Sequence, residues 1–374
     1  MAGNFVQLHN HTHYSLLDGA SKVPDLVKRV KELGMPAVGI TDHGNMHGAY
    51  ELWRAAVDSG VKPIIGIEAY VTPETARQDK TRVSWDTNWT PVPGHARNPD
   101  DVSGGGLITH LTMWAENDEG LVNLIKASSV ANLEGRVMRY PRMDKEVLST
   151  YSKGVIASSG CPSGIIQTRL RLGQFDEALR AAGEFQDIFG KDNFYIELMD
   201  HGLSIESKVT GDLLTIAKKL GAPLLATNDS HYVMEADKDA QDAMLCINSG
   251  STLDDPNRFK FEGSGYYIKS AEEMRELFKD HPDACDNTLE IAERCNVIFD
   301  DHEDGAFMPQ FDCPEGWDET SLFLKKVEEG LEKRYDGNPP MEVLKQADYE
   351  CGVICQMQFC GYFLVVADYI NWAK

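Results

Sequence analysis

Short apolar runs alternate with amphipathic helical stretches up to residue 235, and this alternation constrains the fold more than any other feature. The runs are Phe5–Leu8, Ala37–Thr41, Pro63–Val71, Leu107–Trp114, Gly154–Ser158, Phe194–Met199 and Pro223–Thr227. Helical periodicity fills most of the gaps: Pro24–Leu33, His47–Ser59, Glu119–Ala131, Phe175–Phe189 and Ile205–Leu220. Strands separated by helices imply βαβ units and a parallel sheet. Seven such runs suit a closed ring at least as well as an open sheet, and the expected fold is α/β, a distorted seven-stranded (β/α) barrel.

One connection breaks the rhythm. Residues 72–106 are polar, with Pro91, Pro93 and Gly104-Gly105-Gly106. A loop of that length inside a compact domain is functional or disordered. Arg77, Lys80, Arg82 and Arg97 surround Trp85 and Trp89 there, a composition compatible with phosphate contacts beside base stacking. The plainer reading is a solvated insertion.

The pattern changes after Asp239. A helix Ala240–Asn248 precedes an expected hairpin, Phe259–Lys269, turning at Gly263-Ser264-Gly265. Helical segments follow at Ala271–Lys279, Ala284–Cys295, Ser321–Arg334 and Met341–Met357, and Gly361–Asp368 reads as an element still in progress at the end of the chain. A boundary is expected near 280–300. That gives a first domain of residues 1–285 and a mostly helical partial domain, 286–374, belonging to a longer protein.

Composition narrows the function classes. Lys and Arg number 36 against 59 Asp and Glu, a formal charge of −23. A basic module held on nucleic acid by its own phosphate contacts is thereby disfavoured. If nucleic acid is the substrate, bound metal or a basic partner domain must supply the positive charge. No apolar run reaches the ~20 residues that span a bilayer, and no membrane association is expected. The eight Cys form no C-x-x-C pair, which fits a reducing, cytoplasmic setting. Cys351, Cys355 and Cys360 are spaced near a helical repeat and read as helix-core residues.

The chemistry lies where the predicted strands end. The first runs into His9-Asn10-His11 with Asp18 nearby, and the second into Asp42-His43. Glu68 and His110 lie in the third and fourth, Cys161 follows the fifth, Asp200-His201 the sixth, and Asp229-Ser230-His231 the seventh. Strand C-termini in α/β barrels converge on one face, where active sites are built. Side chains two apart on an extended segment point the same way, so His-x-His and Asp-x-His can each chelate one ion. About nine candidate ligands, at four to six per ion, imply two or three divalent ions with Glu68 as a bridge. Imidazole with carboxylate suits Zn, Mn or Fe, and a thiolate favours Zn. Clusters of this kind hydrolyse phosphate esters.

Leu8-His9-Asn10-His11-Thr12, Ser15-Leu16-Leu17-Asp18-Gly19, Ile40-Thr41-Asp42-His43-Gly44, Gly66-Ile67-Glu68 and Asn228-Asp229-Ser230-His231-Tyr232 resemble the PHP (polymerase and histidinol phosphatase) domain. More narrowly, they resemble its version in bacterial DNA polymerase III alpha subunits. Tyr267–Met274, Glu290–Cys295 and Gly361–Asp368 resemble stretches leading from that domain into the polymerase palm. The resemblance implies a TIM-like barrel and nine metal ligands: His9, His11, Asp18, His43, Glu68, His110, Cys161, Asp229 and His231. It assigns His9, His11, Glu68 and Asp229 to one ion, Glu68, His110 and Cys161 to a second, and Asp18, His43 and His231 to a third. Asp229, Glu68, His11 and His43 are the expected catalytic residues, with His201, Arg77 and Arg82 as candidate substrate contacts.

The implied activity is a metal-dependent 3′→5′ exonuclease that proofreads DNA primer ends for an attached polymerase. The implied partners are the remaining polymerase domains, the sliding clamp and other replisome subunits. The resemblance places the polymerase's own catalytic aspartates beyond Lys374. Two other readings stay open: a free-standing phosphoesterase acting on a small monoester such as histidinol phosphate, and a metal-stabilised structural domain without turnover.

Overall fold

A computed structural model of the chain describes residues 5–16, 18–91, 98–300 and 309–374. Leu17, Pro93, Arg97 and residues 301–308 lie outside the described residues. The chain forms two compact units, Met1–Phe299 and Asp300–Lys374. Among the described residues, no single helix is long and apolar enough to cross a membrane.

The first unit is built on a curled seven-stranded sheet: β1 Ala37–Ile40, β2 Lys62–Val71, β3 Thr109–Ala115, β4 Arg142–Met143, β5 Val155–Ser158, β6 Phe194–Leu198 and β7 Leu224–Ala226. Its order is β1-β2-β3-β5-β6-β7, with β4 paired to the end of β2. The first apolar run does not become a regular strand. Instead, single parallel bridges join Gln7 to Val38 and Asn10 to Ser230. Gly39 N–H donates to Gln7 O (2.8 Å) and His11 N–H to Ser230 O (2.8 Å). Residues 7–11 thus lie between β1 and the chain leaving β7, and close the ring. A Cβ on Gly39 would sit 2.6 Å from Leu8 O, so only glycine permits that approach.

The sheet is not wholly parallel as expected. β3 runs antiparallel to both β2 and β5. Parallel neighbours need a crossover element, usually a helix. Among the described residues of 72–108, helical structure is limited to a four-residue turn, Ser103–Gly106, with Gly104 and Gly105 in the left-handed region. The chain therefore returns beside β2 in the opposite sense.

Strand alternation splits the barrel interior into two levels. Ile64, Trp114, Ile156, Tyr195 and Leu225 form one buried cluster with Val6 and Leu8. Two or four residues along the same strand faces lie Glu68, Thr112 and His110, Ser158, Glu197 and Thr227. The interior is thus apolar at one end and polar at the other. Ile291, Ala292 and Cys295, in and just after the helix Pro282–Arg294, complete the apolar cluster. That helix spans the boundary expected at 285/286, and its packing carries the first unit on to residue 299.

The outer helices follow their sequence periodicity. Phe175–Phe189 buries Ala178, Ala181, Ala182, Phe185 and Phe189, a stripe at helical spacing. The expected hairpin over 259–269 does not form. Tyr267 makes a single parallel bridge to Tyr232, and the aromatic rings of the segment pack on histidines instead. Phe261 sets its edge 4.7 Å from His231, and Tyr266 stacks 4.1 Å from His201.

The second unit contains the helices Glu319–Arg334, Met341–Gln356 and Cys360–Ala373. Its core comprises Leu322, Phe323, Cys351, Cys360 and Leu364, with Cys313 and Cys355 packed against it.

Candidate metal centre

His9 and His11 leave the ring-closing segment toward the same centre. Asn10, between them, faces the other way and donates to Gln7 O (2.9 Å) and Gly39 O (2.8 Å). Glu68 on β2 is the hub and is fully buried. Its Oε2 lies 2.7 Å from His43 Nδ1, 3.2 Å from His110 Nδ1 and 3.5 Å from His11 Nε2, and its Oε1 lies 3.4 Å from His9 Nε2. Asp229 Oδ1 lies 3.1 Å from His11 Nε2 and 3.4 Å from His9 Nε2. Asp18 reaches His231 Nε2 at 2.8 Å and His43 Nε2 at 3.6 Å. Cys161 Sγ stands 3.4 Å from His110 Nδ1. The structure therefore gathers all nine sequence-predicted ligands in one cluster.

His110 reaches it from the start of its strand, not the end, because β3 is reversed. Gly44, after His43, has φ +63, and a Cβ there would meet the Tyr70 ring at 2.7 Å. Asp229 itself adopts φ 44, a left-handed conformation that Asp and Asn tolerate better than most residues. Backbone strain of this kind gathers at functional sites.

The donor set fits divalent metal. His9 Nε2, His11 Nε2, Asp18 Oδ1, His43 Nδ1, both Glu68 oxygens, Asp229 Oδ1 and His231 Nε2 are buried and make no hydrogen bond of acceptable geometry. Buried polar groups are almost always hydrogen-bonded, so orphans converging on one point call for a ligand. Ligands about 2.1 Å from a tetrahedral ion lie ~3.4 Å from one another. Three triads bring one donor atom from each residue within 4.8 Å of one another: His9, His11 and Asp229; His43, Glu68 and His110; and His11, His43 and His231.

Charge is redistributed accordingly. Burial alone would suppress the His9 cation, but Glu197 and Asp229 hold its pKa well above 6.5. Burial, with His43 and His231 close by, pushes His11 down to about 3. Glu68 and Asp229 stay well below the carboxylate range despite burial, because imidazoles surround them.

Two buried carboxylates support the cluster without being among the predicted ligands. Glu197 Oε1 accepts from His9 Nδ1 (2.6 Å) and the Thr227 hydroxyl, and its Oε2 accepts from Ser158. Asp42 accepts from Thr12 N–H (2.7 Å) and from the Ser15 hydroxyl (2.7 Å), which also lies 3.0 Å from His11 Nδ1. An inward-facing carboxylate within an apolar strand was the available signal for Glu197.

The three predicted substrate contacts do not join the cluster. His201 is buried, with Nδ1 2.6 Å from Glu206 and Nε2 2.9 Å from Asn228 O. Arg77 is held by Glu134, Asp144 and Glu146. Arg82 donates to Gly105 O (2.8 Å). Trp85 lies beneath the Arg169 guanidinium, 3.8 Å from ring centre to carbon. The insertion is thus bound to the body along much of its described length. The cluster instead opens through Asp18, His43 and His110 into a cleft of about 840 Å³, bordered by Tyr70, Tyr140, Arg136 and Arg139.

Comparison with known proteins agrees with this architecture. The PHP domain model matches residues 7–201, and the model described as the bacterial DNA polymerase III alpha NTPase domain matches residues 321–374. The chain is 50% identical over 372 residues to the DNA polymerase III subunit alpha of Mycobacterium leprae (strain TN), covering 99% of this chain and 31% of that protein. The subunit from Mycobacterium tuberculosis (strain ATCC 25618 / H37Rv) gives the same four values. That of Treponema pallidum (strain Nichols) is 40% identical over 372 residues, covering 99% of this chain and 30% of the relative. The chain thus spans less than a third of the length of these curated relatives. With PHP ligand motifs gathered at one end of a barrel and an alpha-subunit match over its last helices, this chain belongs to the PHP domain family, in the form found in bacterial DNA polymerase III alpha subunits.

Proposed function

We propose that the first unit is a metal-dependent 3′→5′ exonuclease that trims DNA primer ends for an attached replicative polymerase. The observation carrying this reading is the set of orphaned imidazole and carboxylate atoms gathered beside an open cleft. The residues would hold two or three divalent transition-metal ions, with Cys161 favouring zinc over manganese or iron. Ions bound there supply an acidified water and offset the charge of the phosphodiester.

The chain's own residues do the rest. Glu197 holds the His9 ring so that Nε2 faces Glu68 and Asp229. Asp42 and Ser15 fix His11 from behind. Glu68 stands between the His9–His11 side and the His43–His110 side. Ions held there would also offset, locally, the net charge of −23. Replisome subunits, including a sliding clamp, and a cytoplasmic setting belong to the same proposal.

The test combines elemental analysis of chelator-free protein with a nuclease assay on a 3′-mismatched primer. Two or three transition-metal ions per chain and release of mononucleotides from the 3′ end are expected. Turnover of a small phosphate monoester with no action on DNA would replace this reading with the free-standing phosphoesterase. Full metal occupancy without any turnover would leave a structural domain.

A further inference from the structure

We propose that the turn Arg136–Tyr140 grips a single-stranded nucleic acid as its end enters the metal centre, with Arg136 and Arg139 on backbone phosphates and Tyr140 beneath a base. This inference rests on the phosphodiesterase reading of the same site and names the part of the chain that selects a polymer over a monoester.

Charge is the first support. In a chain with a net charge of −23, most described arginines are spent on carboxylates, as at Arg77, Arg169, Arg180, Arg258 and Arg294. Arg136 and Arg139 border the cleft, and among the described residues neither forms an ion pair. Arg139 instead meets neutral partners, donating to Asn248 Oδ1 (2.6 Å) and lying 5.4 Å from the Tyr140 ring centre. Its charge therefore remains available to an anion.

Backbone geometry is the second. Val137 and Tyr140 exchange both backbone hydrogen bonds at 3.0 Å, closing a two-residue turn. Met138 at its tip has φ 55 and is 73% exposed. Left-handed backbone is uncommon for a residue other than glycine, and the Met138 side chain stands in solvent rather than in the core.

The third is a wall of rings. Tyr70 stacks on the ligand His43 at 5.9 Å and 12°, and meets Tyr140 edge-on at 5.1 Å. The wall thus runs from a metal ligand outward to the arginines. Aromatic faces beside guanidinium groups are how proteins hold single strands without reading sequence. A monoester would bring its one phosphate to the ligands and leave the outer arginines unused.

The experiment uses the whole chain and a fluorescein-labelled oligothymidylate, with binding followed by anisotropy across a salt series. Arg136→Gln/Arg139→Gln should weaken binding at least tenfold at low salt. It should also flatten the slope of log K against log salt by about 1.4, the value for two phosphates on a single strand. Tyr140→Leu should weaken binding by roughly tenfold, and Tyr140→Phe should restore it. Hydrolysis of the p-nitrophenyl ester of thymidine 5′-phosphate, which carries no further backbone phosphate for the turn to hold, should be unchanged in every variant that melts like the parent.

An unchanged affinity and salt slope would overturn the proposal, and so would an equal loss on both substrates. Binding that follows these expectations without any cleavage of the strand would sink the exonuclease reading and leave the grip in place. Cleavage with unaltered binding in the variants would do the reverse.

Discussion

His9 Nδ1 lies 2.6 Å from Glu197 Oε1, with both side chains wholly shielded from solvent. The pairing fixes the ring and leaves Nε2 facing Glu68 and Asp229. A carboxylate behind a ligand histidine raises its basicity, and losing such a partner typically costs 10–100-fold in metal affinity. Glu197→Gln should therefore weaken divalent-ion binding by about that factor, measured by competition with a chromogenic chelator. An unchanged affinity would mean that Glu197 only fills the barrel.

Asp229→Asn keeps the shape but replaces an anionic ligand with a neutral one. Asn tolerates the left-handed backbone at this position, so the thermal melt should stay within a few degrees of the parent. Phosphodiester hydrolysis should fall by roughly two orders of magnitude or more, because acidifying a bound water requires the ion's charge and geometry intact. Full activity in the folded variant would make the cluster structural.

Arg142 offers a test of the insertion. Its buried guanidinium donates to Arg77 O (2.6 Å), Asp79 O (2.7 Å), Gly135 O (3.2 Å) and Leu107 O (3.3 Å). Arg142→Met strands these carbonyls and should cost roughly 2–4 kcal/mol in a denaturant melt. Trypsin should then cut at Lys80 well before it does in the parent. Equal protection would show that the segment is held by its other contacts.

Metal removal should invert the pH dependence of stability. In the metal-free chain burial lowers the ring pKa values, but it is outweighed at His9 by Glu197, at His43 by Tyr70 and Glu68, and at His231 by Asp18, so all three sit above 6.5. The stability they confer is complete below pH 6.5 and is lost as pH climbs through the raised values. His11, lowered to about 3, opposes this as one ring against three. Stripped protein should thus melt several degrees lower at pH 9 than at pH 6. The gain on adding zinc should widen over the same range, because ligands must shed protons to bind. Parallel melts by scanning fluorimetry check both trends.

The ligand motifs were legible because alternation on an extended segment sets His9 and His11 side by side whatever surrounds them. Seven apolar runs announced the barrel for a similar reason. Strand direction is not legible, since a period of two is the same read either way, so the alternation implies a parallel β3 where the structure has an antiparallel one. β4 has two residues, too few for any period. Phe259–Lys269 carries hairpin composition, yet its rings are drawn onto His231 and His201, a tertiary preference with no local signature. Arg136 and Arg139 look like any surface arginines in sequence; that neither meets a carboxylate among the described residues is visible only in three dimensions.

Closing the barrel through residues 7–11 has a consequence for biosynthesis. His9 and His11 are synthesised well before Ser230, but they gain their positions only when it arrives to pair with them. A ribosome adding roughly 5–20 residues per second needs about 10–45 s to cover that interval. Until then the early imidazoles are loose ends, able to take a stray ion but not to select one. Any ion the cluster takes would therefore bind late in the life of the nascent chain, and a chain broken off before Ser230 leaves the ring open.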